Sequence, residues 1–198
     1  MAIVRPQAIP YYVQGADFFM LDQYLVPHMP MTWLSDSMDE AAEYVGTNRL
    51  QSVIQAFGGG KSESSGWPRL PTFEEMNCLS FLSVIHGSRG IYYFTFPIIN
   101  STAQGQDGFA RLIRRLNSIR SWLQVVNDDE PVSLEMTSAY TVDHKGNAAV
   151  HSVRKEQLST QMLICVNTIN TYTEAEITVS GERSPTWVEY YSGGCIGL

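Results

Sequence analysis

Cysteine, histidine and basic residues are all scarce in this 198-residue chain: it holds 3 Cys, 4 His, and 13 Lys and Arg against 20 Asp and Glu. Cys78, Cys165 and Cys195 are odd in number and widely spaced, so they give neither a disulfide framework nor a zinc ligand set and are expected as buried or free thiols. His28, His86, His144 and His151 fall on different predicted elements without ligand spacing, so no metal site is expected, and no cofactor motif is present. A net charge of −7 lacks the clustered positive surface that neutralises nucleic-acid phosphates, and it disfavours anionic substrates and lipid surfaces. No apolar run is long enough to span a membrane. Met1 to Pro6 lacks the apolar segment of a leader, so nothing in the chain as it stands directs export. Repeats and low-complexity tracts are absent apart from a short Gly/Ser loop.

What is present is a composition of 44% hydrophobic and 17% charged residues, expected of a soluble globular chain of one or two domains. Ala16 to Leu21 reads as a buried strand. Ser37 and Glu40 have capping-box spacing, with a short helix running to Gly46. A second strand reads Leu50 to Phe57, followed by Gly58-Gly59-Gly60 and a polar loop to Pro71. Thr72 with Glu75 predicts a second capping box, opening a helix that is apolar on most sides as far as Gly87. Ile91 to Phe96 reads as a third strand, and Phe109, Leu112, Ile113, Leu116, Ile119, Trp122 and Leu123 predict one long amphipathic helix.

Strand and helix alternating in this way signal right-handed crossovers on a parallel sheet. The pattern changes at Asn127-Asp128-Asp129-Glu130-Pro131. Beyond it, Ala148 to Val153, Met162 to Val166, Tyr172 to Val179 and Thr186 to Tyr191 read as strands, and residues 131–198 are expected to form a small antiparallel β-sandwich. The expected fold class is therefore α/β followed by all-β, with residues 1–127 as the first domain.

Asp22-Gln23-Tyr24, Gln55-Ala56-Phe57-Gly58, the segment Arg69 to Met76 and His86-Gly87-Ser88-Arg89-Gly90-Ile91-Tyr92-Tyr93 resemble, in order and spacing, the late strands of glycoside-hydrolase-like (β/α) barrels. Leu163 to Thr168 is similar to the middle strand of the C-terminal β-sandwich that follows such barrels. The resemblance implies a partial barrel in which the three predicted strands stand for strands six, seven and eight, with the earlier strands missing. A full barrel takes about 250 residues. The sandwich is expected to stop short too, since Tyr191 leads directly to Leu198 without a closing hairpin. The resemblance thus implies a fragment of a carbohydrate-active protein, whose parent is secreted in some such families.

Residues just past the C-terminal ends of barrel strands face the active site. Here they are Asp22, Tyr24, Gln55, Phe57, Thr95 and Phe96, with Trp67 and Arg69 in the loop after the second strand. Aromatic faces, carboxylates and amides are the groups that hold a sugar. Carbohydrate is therefore the expected partner, with Tyr24, Gln55, Phe57, Trp67, Arg69 and Thr95 binding and Asp22 as the candidate catalytic carboxylate. The alternative is that Tyr24, Phe57 and Phe96 only fill the barrel mouth. Glycoside hydrolysis needs two carboxyl groups flanking the bond, and the position where many such barrels carry a nucleophilic Glu holds Gln55. The isolated chain is therefore expected to be inactive, and the alternative function is a non-catalytic carbohydrate-binding or protein-assembly module.

Several features have plainer readings. Glu74 and Glu75 suit the first turn of a helix. Gly58-Gly59-Gly60-Lys61-Ser62 lacks the earlier glycine and the following helix of a phosphate loop. Arg111, Arg114, Arg115 and Arg120 read as a solvated helix face. Asn100-Ser101-Thr102 is a glycosylation sequon. Finally, Phe18 to Leu21 and Tyr92 to Phe94 read as buried on both faces, yet half a barrel leaves inner faces without opposing strands, so self-association is expected.

Overall fold

The computed structural model describes residues 1–126, 133–136, 142–143, 145–158, 160–171 and 173–178. The strand expected at Thr186–Tyr191, the linker at 127–131 and Cys195 lie outside the described residues. Strands β1 (Ala2–Ile3), β2 (Phe19–Gln23), β3 (Leu50–Gln55) and β4 (Ile91–Phe94) form one sheet in sequence order, every neighbouring pair parallel. Helix α1 (Thr32–Val45) connects β2 to β3, and α2 (Phe73–Ile85) connects β3 to β4. The short α3 (Phe96–Ile99) leads into α4 (Ala103–Ser118) and α5 (Arg120–Leu123). Two antiparallel pairs follow, β5 (Ser133–Met136) with β8 (Ala175–Thr178) and β6 (Val150–Gln157) with β7 (Thr160–Asn167). The chain is thus α/β with a parallel sheet, followed by antiparallel strand pairs. Among the described residues no helix is long and apolar enough to cross a membrane.

Several element boundaries differ from the sequence expectation, each for a local reason. The first expected strand begins later, at Phe19, because the Arg49 guanidinium holds the carbonyls of Val13, Ala16 and Asp17 away from the ladder. The strand also ends later, at Gln23, so Asp22 lies within β2 and not beyond it. The capping box expected at Ser37 does not start α1. That helix begins at Thr32 with no side-chain cap, and Leu34, Met38 and Ala41 bury one face against the sheet, so packing fixes the helix where capping does not. The box at Thr72 and Glu75 is formed in both directions: Thr72 Oγ1 accepts from Glu75 N at 3.2 Å, and Glu75 Oε2 accepts from Thr72 N at 2.8 Å. The single long helix expected through Leu123 starts earlier, where Thr102 Oγ1 caps Gly105 N at 3.0 Å, and breaks at Ile119, whose φ and ψ are −110° and 17°.

The register shows which face of the sheet each side chain occupies. Phe19 pairs Leu50, Leu21 pairs Ser52, and Gln23 pairs Ile54, which in turn pairs Tyr93. This face meets the helices: Ser52 Oγ contacts Met38 Sδ at 3.5 Å, and Tyr93 Oη meets Ser80 Oγ at 2.8 Å and stacks edge-on against Phe109. Phe19, Leu21, Leu50 and Ile54 share one buried cluster with Leu34 and Met38 of α1 and Leu79 and Leu82 of α2. Val153, Ile164 and Val166 join that cluster, so the β6–β7 hairpin packs on the outer side of the helices.

The opposite face carries Met20, Asp22, Gln51, Val53, Gln55, Tyr92 and Phe94, by the alternation of a strand. Among the described residues, none of these side chains belongs to the buried clusters that the helices form. Phe18, Tyr92 and Phe94 are 50%, 47% and 51% exposed, so the expectation that these strands are buried on both faces is corrected: helices cover one face and the aromatic side of the other meets water.

Candidate functional site

The C-terminal ends of β2, β3 and β4 bring four rings together. Tyr24 follows β2, Phe57 follows β3, Phe94 ends β4, and Trp67 reaches in from the β3–α2 loop. Tyr24 lies edge-on to Phe57 at 4.9 Å and stacks near-parallel with Phe94 at 5.9 Å, while Trp67 sits 5.2 Å from Phe57 and 6.3 Å from Tyr24. Such offset and edge-on pairs are the favourable arrangements of aromatic quadrupoles. Phe57 is buried and holds the group, Tyr24 and Trp67 are half-buried, and Phe94 is exposed.

Asp22 lies on the same open face, in register with Val53 and through it with Tyr92. Its Oδ1 is buried and has no hydrogen-bond partner among the described residues. Burial, and then the hydrogen bond to the Asp22 carboxylate and its charge, hold the Tyr24 phenol well above its ordinary pKa. The phenol therefore stays protonated and serves as a donor beside an acceptor. Asp22 is the one acidic residue that the strand register places on this face.

The other expected binding residues are placed differently. Gln55 is fully buried, and its amide is occupied within the protein: Oε1 accepts from Val26 N at 3.0 Å, and Nε2 donates to Val26 O at 3.0 Å and Phe57 O at 3.1 Å. It pins the loop after β2 to the loop after β3, and so supports the rings without facing solvent. His28 reinforces the same junction through Nε2 and Gly66 O, 2.7 Å apart. Arg69 points to Glu75, with Nη1–Oε2 and Nη2–Oε1 both 2.6 Å. Thr95 is half-buried at the β4–α3 junction, where its carbonyl accepts from Ile98 N and Ile99 N. Phe96, expected at the mouth, is drawn instead toward Phe109, 6.1 Å away, because β4 ends at Phe94 and α3 begins.

Phe94 is the ring that sequence reasoning missed. Extending the third strand to Phe96 placed the exit two residues late, and the signal available was Pro97, which suits the first turn of a new helix. The arginines expected to be solvated are partly engaged as well. Arg111 and Arg115 lie over the Phe73 ring at 4.1 and 5.7 Å, and Arg115 Nη1 donates to Asn77 Oδ1 at 2.9 Å.

A groove of about 1050 Å³ opens beside the sheet, between the β3–α2 loop and α4. Of the expected residues only Arg69 lines it, with Gly59, Lys61, Phe73, Gln104 and Arg111. The groove is not lined by any of the four rings. Aromatic faces beside a paired carboxylate and phenol can stack on C–H surfaces and exchange hydrogen bonds with hydroxyl groups. Among the described residues no group of three or more His, Cys, Asp or Glu is arranged to hold a metal ion. Comparison with family models, with curated proteins and with solved structures gave no match.

Proposed function

We propose that this chain is a carbohydrate-binding portion of a glycoside-hydrolase-like (β/α) barrel, followed by a β-sandwich, and that it binds sugar without hydrolysing it. The observation that carries this reading is the Tyr24–Phe57–Trp67–Phe94 group standing beside Asp22 where parallel strands end. Sequential parallel strands with helices on one face only suit a singly wound barrel wall; a doubly wound sheet has helices on both. In such a wall the open face is the barrel interior. One carboxylate on that face is half of what glycoside hydrolysis requires, which supports binding over turnover.

The test is titration of the full chain with soluble gluco-, xylo-, manno- and chito-oligosaccharides, followed by calorimetry. Saturable binding to one sugar class, weakened tenfold or more by Trp67→Ala with the circular dichroism unchanged, is the expected result. Failure of every class to bind, or equal binding by Trp67→Ala, overturns it.

A second reading, a protein-assembly module, is favoured by one observation. Phe18, Tyr92 and Phe94 are about half exposed on one sheet face, a larger apolar display than isolated surface residues make. Its test is the oligomeric state in solution.

A further inference from the structure

Away from the rings, three side chains from three elements form a chain. Asp39 of α1 meets His86 at the C-terminal cap of α2, Oδ1 to Nδ1 2.6 Å. His86 Nε2 meets His151 Nδ1 of β6 at 2.8 Å. The far nitrogen of His151, Nε2, is buried and has no hydrogen-bond partner among the described residues. These contacts join the β6–β7 hairpin to the helical layer at a junction that the sugar-binding reading does not use.

Proton placement follows from the donors available. With both rings neutral, His86 donates Nδ1–H to Asp39 and accepts Nδ1–H from His151 at Nε2, and the one orphan is the Nε2 lone pair of His151. Every N–H then has an acceptor. One added proton, whichever ring holds it, leaves a single hydrogen in the bridge and puts another on the buried Nε2 of His151, with nothing to receive it. A second proton sets two N–H groups against each other across 2.8 Å, and the bridge is lost.

We propose that Asp39, His86 and His151 form an acid-sensitive latch between the β6–β7 hairpin and the helical layer, closed when both rings are neutral and opened when both are protonated. The charges around it are mixed. Asp39 and Asp36 approach from α1, with Asp36 ion-paired to Lys145 at 2.6 Å, and Asp143 approaches from the turn before β6. His86 is the titratable group from α2, and β7 presents the uncharged Val166 opposite His151. His144 lies outside the described residues. The three aspartates favour a charged His151, but burial first and then His86 outweigh them, so its pKa is lowered from 6.5. Between that lowered value and 6.5 the opened form binds more protons than the closed one, so the latch strengthens as pH rises and weakens as pH falls below about 6.5. Val153, Ile164 and Val166 keep the hairpin seated on the core, so release loosens it and does not unfold the chain.

Hydrogen exchange on the full chain tests this, with protection factors compared between pH 7.5 and 5.0 after correction for intrinsic rates. The expected result is a fall of about tenfold or more at residues 150–157 and 160–167, with β2 and β3 unchanged; tenfold corresponds to one pKa unit of coupling. His151→Gln and His86→Gln should each abolish the pH dependence of the hairpin. Hairpin protection that stays constant with pH in the wild type, or the same fall in both variants, overturns the proposal. Imidazole ¹⁵N spectra of the wild type give a second reading that needs no variant: at pH 7.5 both rings must carry their hydrogen on Nδ1, and an Nε2 hydrogen on either neutral ring overturns the latch.

Discussion

Arg69 grips Glu75 in parallel, Nη1 to Oε2 and Nη2 to Oε1, both at 2.6 Å, while the same Glu75 carboxylate closes the capping box of α2. Glu75 is 3% exposed at its side chain and Arg69 44%, so a buried anion is compensated from the solvent side. This ties the loop that carries Trp67 to the start of a buried helix.

Removing the two partners should have unequal effects. Arg69→Ala leaves the carboxylate on its capping bond and open to water from the side Arg69 vacates, and should cost about 1 to 2 kcal/mol after allowing for solvent screening. Glu75→Ala deletes the pair and the reciprocal cap together, and should cost about 2 to 4 kcal/mol. Urea unfolding of both variants checks the order; equal losses would mean that the cap contributes nothing beyond the pair.

Gly105 runs against helix propensity. It stands in the first turn of α4, where alanine is ordinarily preferred by about 1 kcal/mol. A Cβ there would clash with Ile99 O and meet Thr102 Oγ1 at 2.9 Å. Gly105→Ala should therefore destabilise by about 1 to 3 kcal/mol, the range of overpacking. The control substitution Gln104→Ala, at the exposed neighbouring site, should change stability by less than about 0.5 kcal/mol. Thermal melts of the two variants compare them directly, and a stabilised Gly105→Ala would show that α3 and α4 do not pack this closely.

Much of this was legible in the sequence, and the limits have physical causes. The parallel order of β2, β3 and β4 follows from alternating apolar runs and helices, and the Thr72–Glu75 box from its spacing; β1, two residues long and joined to β2 without an α-helix, carries no such signal and adds a fourth strand to the three expected. The start of β2 was hidden because Arg49, distant in sequence, ties up Ala16 and Asp17. The start of α1 was hidden because burial of Leu34 and Met38, not a cap, fixes it. At the site, Tyr24 and Phe57 could be placed from strand ends, and Trp67 only in the loop that follows the second strand. Gln55 could not be placed, since a buried glutamine and a ligand-facing one look alike until Val26 and Phe57 are seen on its amide.

Catalysis gives the third prediction. The open face carries Asp22 and no second carboxylate by register, and general acid–base partners typically contribute about 10²–10⁴-fold each. The chain should release no aryl leaving group from nitrophenyl glycosides above the uncatalysed rate, and Asp22→Asn should behave as wild type in that assay. In the sugar-binding assay the same variant should weaken affinity about three- to tenfold, the loss of one charged hydrogen bond at a partly exposed site. Turnover that disappears in Asp22→Asn would reverse the reading of this site from binding to catalysis.

The last prediction concerns the sheet face that no helix covers. Full burial of a large apolar side chain is worth about 1.5 to 3 kcal/mol, and Phe18, Tyr92 and Phe94 are each only about half exposed. Together they offer roughly 2 to 4 kcal/mol to whatever covers them, a useful part of a domain stability of about 5 to 15 kcal/mol. A second copy is the available cover in a pure solution. Light scattering at micromolar concentration should accordingly give a mass above the monomer, falling toward it on dilution. Phe18→Lys with Tyr92→Lys puts two like charges on the contact and should shift the population to monomer without lowering the melting temperature, because neither side chain belongs to the buried core or to the ring group. A wild-type chain that stays monomeric across that range would show that the face is tolerated in water, and would remove the one observation that favours the assembly reading.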